Sequence, residues 1–311
     1  MKKVLFIDRV HPSLEEELEN NGFTCDHNYK GSYQEVKGEI GQYVGMVIRS
    51  RIPIDRSFMA SAKSLKFIAR SGAGLENIDL KAAEQYGISV HNSPEGNMDA
   101  VGEHAIAMLL CLFNNILNGD REVRAGIWDR EGNRGIELAG KTVGIIGFGF
   151  MGSALAKKLR SFDCEIIAYD KYKTNFAPDY VEETSLEDLK KRSKIISIHL
   201  PQSKETMRYV NKDFIESCSK AFFLINTARG SHVVIKDLMD GIANGKVKGA
   251  CLDVLEFEKS SFDLTYDEMP ESFKRLADSE RVILSPHVAG WTRQSYRKLS
   301  QFLAKKILAQ N

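Results

Sequence analysis

The stretch KTVGIIGFGFMGSALAKKL, Lys141–Leu159, admits few folds. An apolar run stops at a glycine, glycines recur at Gly147, Gly149 and Gly152, and an amphipathic helical pattern starts at once. The next apolar run, CEIIAYD, ends at Asp170, about 20 residues further on, which is the spacing of a dinucleotide-binding strand–turn–helix. Each part has a physical task. Gly147 permits the tight turn, Gly149 lets a diphosphate approach the backbone, and Gly152 lets helix and strand pack closely. The amides of Phe150 and Met151, with the helix dipole, then suit the anionic diphosphate. Asp170 can accept from ribose hydroxyls and would repel a 2′-phosphate. The expected cofactor is therefore NAD rather than NADP, although Lys171 and Lys173 stand close by.

Around this stretch, short apolar strands alternate with helical patterns along the whole chain. In the first third the strands are KVLFID, MVIRS, LKFIARS and ISVHNS; PSLEEELENNG between them reads as a helix opened by Pro12 and closed by Gly22. The middle adds KIISIHL, AFFLINTA and KGACLDV, β-branched runs of the kind that helices cover on both faces. From Asp99 to Gly126 one extended helix is expected, and TRQSYRKLSQFLAKKILAQN reads as a closing amphipathic helix. Two such blocks in 311 residues predict α/β architecture with two doubly wound parallel-sheet domains: a Rossmann NAD-binding domain, 99–284, inserted in a flavodoxin-like substrate domain, 1–98 and 285–311. Lys+Arg 43 against Asp+Glu 42 gives a net charge of +1, so composition supplies no drive toward nucleic acid or an anionic membrane. Asp8 and Arg9 cut the first apolar run too early for a signal peptide, and no run approaches the roughly 20 apolar residues of a membrane span. The five cysteines stand singly, with no CxxC, as expected of reduced thiols in a cytoplasmic protein. No metal site is expected.

Polar residues follow three later strands, where a parallel sheet collects its ligands. Arg229 ends NTARG, Asp253 and Glu258 lie in LDVLEFE, and His287 follows Ser285 and Pro286 in SPHVAG. Singly, each has an ordinary alternative as a surface or loop residue. Together they fit one chemistry. Hydride transfer from an alcohol carbon to nicotinamide needs a proton acceptor, and histidine titrates in the useful range. A neighbouring carboxylate fixes the ring and favours its charged form. A guanidinium holds a substrate carboxylate in two-pronged fashion.

In order along the chain, SGAGLENID, NSPEGNMDAVGEH, ELAGKTVGIIGFGFMG, HLP, NTARG, LDVLEFE and SPHVAG resemble the D-isomer-specific 2-hydroxyacid dehydrogenases. The resemblance covers nearly the whole sequence. It implies Arg229 as substrate clamp, Glu258 as the orienting acid and His287 as proton donor or acceptor. It also implies that Thr227 and Asp253 approach the nicotinamide, that Ala228 binds the cofactor beside them, and that Leu200 and Pro201 line the cofactor cleft. Two positions depart from the family pattern. Ser231 stands where Gly usually follows the ARG tripeptide, and Lys259 where Pro usually follows the glutamate. The segment 259–280 is also longer than usual.

Within the family, IRSR and ARSGAGLENID resemble the phosphoglycerate dehydrogenase branch, and so does AGIWDR, whose counterpart reaches a partner subunit. Backbone amides from Ser71 through Gly72 and Ala73 to Gly74 are expected to bind the substrate carboxylate. Arg49, Arg51 and Arg70 would suit a second anionic group such as a phosphate. The expected activity is oxidation of 3-phospho-D-glycerate by a short form without a regulatory domain, as a homodimer. A reductase of glyoxylate, hydroxypyruvate or another 2-keto acid is the alternative within the class. A dinucleotide-sensing, corepressor-like binding protein is the alternative outside it.

Overall fold

The computed structural model describes residues 2–258 and 266–310. Lys259 and the first part of the long segment after Glu258 lie outside them. The chain divides into two compact units, Met1–Asp99 with Trp291–Asn311, and Ala100–Gly290.

The first unit holds a parallel sheet of β1 (Lys2–Phe6), β2 (Phe23–His27), β3 (Gly45–Ile48), β4 (Phe67–Arg70) and β5 (Ser89–Asn92), in the order β2-β1-β3-β4-β5. Alternate residues feed two cores, as a sheet covered on both faces requires. Leu5, Met46, Ile48 and Ile68 join one cluster, while Val4, Phe6, Val47, Phe67 and Ala69 join the other. Leu303, Ala304 and Ile307 of the closing helix, Arg293–Leu308, complete the second cluster. Thr292 caps that helix in a reciprocal bond with Ser295. The strand β2 is absent from the sequence reading. Only Phe23 of its five residues is buried, so this edge strand lacks the apolar run that marks the others.

The second unit holds β6 (Thr142–Ile146), β7 (Glu165–Tyr169), β8 (Glu182–Glu183), β9 (Ile195–Ile198), β10 (Phe222–Asn226), β11 (Val247–Leu252) and β12 (Val282–Leu284). All pairings are parallel, in the order β12-β11-β10-β9-β6-β7-β8. The order reverses between β6 and β9, and the crevice beyond their carboxyl ends is where such sheets take ligands. Both units are thus doubly wound, as the alternation predicts.

Two boundaries differ from the sequence reading. The single helix expected from Asp99 is two, Met98–Phe113 and Ile116–Arg124, bent by 58° where Asn115 adopts a φ of +50°. The first buries its apolar residues, whereas no residue of the second is buried, so one straight axis could not serve both environments. The SPHVAG loop also clusters with the second unit, not the first, because Ser285, His287, Val288 and Ala289 are hydrogen-bonded to Leu252 and Asp253. Among the described residues no single helix is long and apolar enough to cross a membrane.

Candidate active site

The glycine turn is built as its sequence requires. Gly147 has a φ of +91°, and a Cβ there would sit 2.7 Å from the His199 carbonyl oxygen, so the turn closes directly against the end of β9. A Cβ on Gly152 would lie 2.2 Å from the Gly147 oxygen, which fixes the approach of the Phe150–Leu159 helix to the turn. Gly149 faces open space, and Phe150 is exposed at the helix start with Met151 half-buried behind it. Asp170 follows β7, and its carboxylate accepts from Phe148 N at 2.9 Å and Tyr172 N at 3.0 Å. Leu200 and Pro201 follow β9, with Leu200 against the glycine turn. Beside them, burial pushes the His199 imidazole down to about 4, and its Nε2 lies 2.8 Å from Ser197 Oγ.

Beyond β10, Asn226 is fully buried and ties its turn together, accepting from Ala228 N and donating to the Arg229 carbonyl. The half-buried Arg229 donates to the Ala228 carbonyl at 2.6 Å. Thr227 Oγ1 is buried and has no hydrogen-bond partner among the described residues. A Cβ at Gly230 would meet the Leu255 oxygen at 2.0 Å, so this glycine lets the segment carrying Glu258 pack against the arginine turn.

His287 Nδ1 lies 2.9 Å from Glu258 Oε2, and Glu258 Oε1 accepts from Leu255 N at 2.6 Å. A carboxylate only accepts, so Nδ1 carries the proton of that bond and Nε2 is left for chemistry. The hydrogen bond to Glu258 holds the imidazole above its ordinary value. Burial opposes this, the charges of Glu258 and Asp253 reinforce it, and Arg229 lowers it. His287 has a φ of +55°, a left-handed conformation that persists only where its surroundings impose it.

Asp253 imposes it. The carboxylate is 1% exposed and accepts from Ser285 Oγ at 2.6 Å, Val288 N at 2.8 Å and Ala289 N at 2.9 Å. The Asp253 carbonyl accepts from His287 N at 2.8 Å. The family resemblance assigns this residue to the nicotinamide; in the structure both carboxylate oxygens are engaged by the Ser285–Ala289 loop. Ser285 and His104 complete the arrangement, and the sequence reading names neither as a site residue. The signal for Ser285 was its place two residues before His287; nothing local marked His104.

In the first unit Arg49, Arg51 and Arg70 do stand at the carboxyl edge of the sheet, with different surroundings. Arg51 is committed to structure: it donates to the carbonyls of Ile7, Asn28 and Gly31 and pairs with Asp8. Arg49 places its guanidinium over the Trp291 ring, 4.2 Å from its centre, and Arg70 folds over Gly72. The amide of Ser71 is spent on the Ile48 carbonyl. The carbonyls of Gly72 and Ala73 are also held, by Ser93 N and Asn92 Nδ2, and Gly74 closes the turn half-buried. All five cysteines are free thiols, and no group of three metal-binding side chains occurs among the described residues.

Residues 106–289 match the family model of the D-isomer specific 2-hydroxyacid dehydrogenase NAD binding domain. A D-3-phosphoglycerate dehydrogenase of Archaeoglobus fulgidus is 33% identical over 308 residues, covering 98% of this chain and 56% of that protein. A hydroxypyruvate reductase of Thermotoga maritima is 32% identical over 294 residues, covering 94% and 90% of the two chains. The solved structure of a D-2-hydroxyisocaproate dehydrogenase superposes with a TM-score of 0.85 at 25% identity, covering 99% and 96%. The chain belongs to the D-isomer specific 2-hydroxyacid dehydrogenase family, and its second unit is that family's NAD-binding domain. It spans little more than half the length of the phosphoglycerate dehydrogenase it matches.

Proposed function

We propose that the chain interconverts a small D-2-hydroxy acid and its 2-keto acid with NAD, using Arg229, Glu258 and His287. The observation that carries this is the 2.9 Å contact of His287 with Glu258, beside Arg229. The residues present fit the dinucleotide. The glycine turn leaves an open approach at Gly149, Asp170 stands at the end of β7, and Thr227 Oγ1 awaits a partner. When bound, the nicotinamide supplies the hydride acceptor or donor. Arg229 would hold the substrate carboxylate and carbonyl oxygen, and His287 Nε2 would give the proton to that oxygen in reduction or take it in oxidation. Glu258 keeps the ring oriented and favours its charged form.

The substrate we propose is 3-phospho-D-glycerate, with Arg49 and Arg70 assigned to its phosphate and Gly72–Gly74 to its carboxylate end. Burial lowers the Arg49 pKa while Asp8 opposes the shift, so this guanidinium has surrendered part of its water and gains from an anionic partner. A charge-assisted bond contributes about 1.5–3 kcal/mol, roughly ten- to a hundredfold in kcat/KM. With NADH, phosphohydroxypyruvate is therefore expected to exceed hydroxypyruvate by at least about tenfold in kcat/KM. Equal values would favour the second reading, a glyoxylate or hydroxypyruvate reductase, which the engagement of Arg51 by backbone carbonyls supports. Binding of NADH with no turnover of any 2-keto acid would support the sensing protein instead.

We assign to a homodimer the exposed apolar residues Ile116, Leu117 and Val123 of the bent helix, with Ile127 and Trp128 beyond it. Trp128 is 78% exposed, and with Ile116, Leu117, Val123 and Ile127 it adds to a run of exposed apolar side chains, the kind of surface that marks an interaction site. Sedimentation is expected to give twice the chain mass, and Trp128→Glu to shift it toward one chain; a wild-type protein of single-chain mass excludes the assignment.

A further inference from the structure

His104 lies on the Met98–Phe113 helix, remote in sequence from the catalytic loop, yet its Nε2 is 2.8 Å from Ser285 Oγ and 3.7 Å from Asp253 Oδ1. The serine hydroxyl has one proton to give. Its nearest acceptor is Asp253 Oδ1 at 2.6 Å; the Met108 sulfur, at 3.6 Å, is a weak one. Since Oδ1 also accepts from Val288 N, it serves as an acceptor throughout. Ser285 must then accept from His104, which places the proton of this contact on Nε2. The chain of donation runs His104 to Ser285 to Asp253, and Asp253 holds the loop on which His287 takes its left-handed conformation.

We propose that His104 is a positioning residue for His287. Donation into Ser285 Oγ polarises the hydroxyl and strengthens its bond to Asp253, because hydrogen bonds in series reinforce one another in a low-dielectric interior. The tighter Ser285–Asp253 bond fixes the start of the loop. The amides of Val288 and Ala289, on the same carboxylate, fix its end, and His287 is held between them in its left-handed conformation. The neighbouring Glu103 pairs with Lys158 and takes no part. The charged and titratable groups around the two histidines are Asp253 for His104, and Glu258, Asp253 and Arg229 for His287. This role rests on the reading of His287 as the proton carrier.

Three variants of the full chain test it: His104→Phe, which keeps a ring without the donor; His104→Gln, whose amide places an N–H near the position of Nε2; and His287→Ala. Donation predicts a kcat about three- to tenfold lower in His104→Phe, at unchanged Kd for NADH by fluorescence titration, and near-complete recovery in His104→Gln. Packing alone predicts the reverse order, Phe equal to wild type and Gln impaired, and that order overturns the proposal. Equal losses in Phe and Gln overturn it as well. Should His287→Ala keep full turnover, the reading of His287 itself fails, whereas loss of turnover in His287→Ala beside an unimpaired His104→Phe removes only the role of His104.

Discussion

His287→Ala is expected to lower kcat for keto-acid reduction by about 100-fold or more, the ordinary scale of general acid–base catalysis, while NADH still binds. The two effects separate because the glycine turn and Asp170 sit beyond β6 and β7, while His287 sits beyond β12. Fluorescence titration with NADH beside steady-state kinetics measures both; lost NADH affinity with normal residual turnover would contradict the assigned role. The same reading fixes the sign of the pH dependence. Reduction needs protonated His287, whose pKa is raised above its ordinary value by the hydrogen bond to Glu258. The rate is therefore expected to stay level at lower pH and to fall as pH rises through that raised value, with oxidation showing the opposite trend. In Glu258→Gln the charged acceptor is gone, so the falling limb moves to lower pH. Linkage gives the same group a matching effect on stability. The pair contributes fully below the unfolded-state pKa of histidine, and that contribution is lost as pH rises through the folded-state value. An unmoved limb in Glu258→Gln would show that Glu258 does not set the protonation of His287.

The doubly wound architecture was legible because buried parallel strands need apolar residues on both faces, and runs such as VLF, TVGII and FFLIN supply them. What escaped was structure carried by little apolar surface. Neither β2, with one buried residue, nor the two-residue β8 produces a run. The break at Asn115 escaped for a related reason: the apolar pattern passes through it, and only a positive φ marks the bend. Arg229, Glu258 and His287 could be picked out as candidates because each follows a strand end. The engagement of Arg51 with three carbonyls could not be read, since an arginine at a strand end looks alike whether it faces a ligand or its own loops. His104 is the extreme case. It lies mid-helix, its partner is 181 residues away, and only the tertiary fold brings them to 2.8 Å.

Asp253 separates the role implied by resemblance from the role implied by geometry. Its buried carboxylate accepts from one hydroxyl and two backbone amides, so Asp253→Ala leaves three donors without that acceptor and opens a void beneath the loop. Leaving buried donors without an acceptor costs about 1–3 kcal/mol apiece, which in a unit of this size, at about 2–4 °C per kcal/mol, lowers Tm by about 10 °C. Turnover should fall with it, because the left-handed His287 loses the bonds that impose its conformation. Asp253→Asn discriminates further. Its amide oxygen can still accept from Ser285 and Val288, but its NH2 group then faces the N–H of Ala289, donor against donor. Asn is therefore expected to lie between wild type and Ala in both Tm and kcat, with the Kd for NADH little changed. If Asp253 acts chiefly on the nicotinamide, the pattern inverts: Asn weakens NADH binding and leaves Tm where it was. Thermal denaturation and NADH titration of the two variants decide between them. The bonds from Ser285, Val288 and Ala289 favour the first outcome, because a carboxylate that is 1% exposed and already engaged through both oxygens is poorly placed to make its main contact elsewhere.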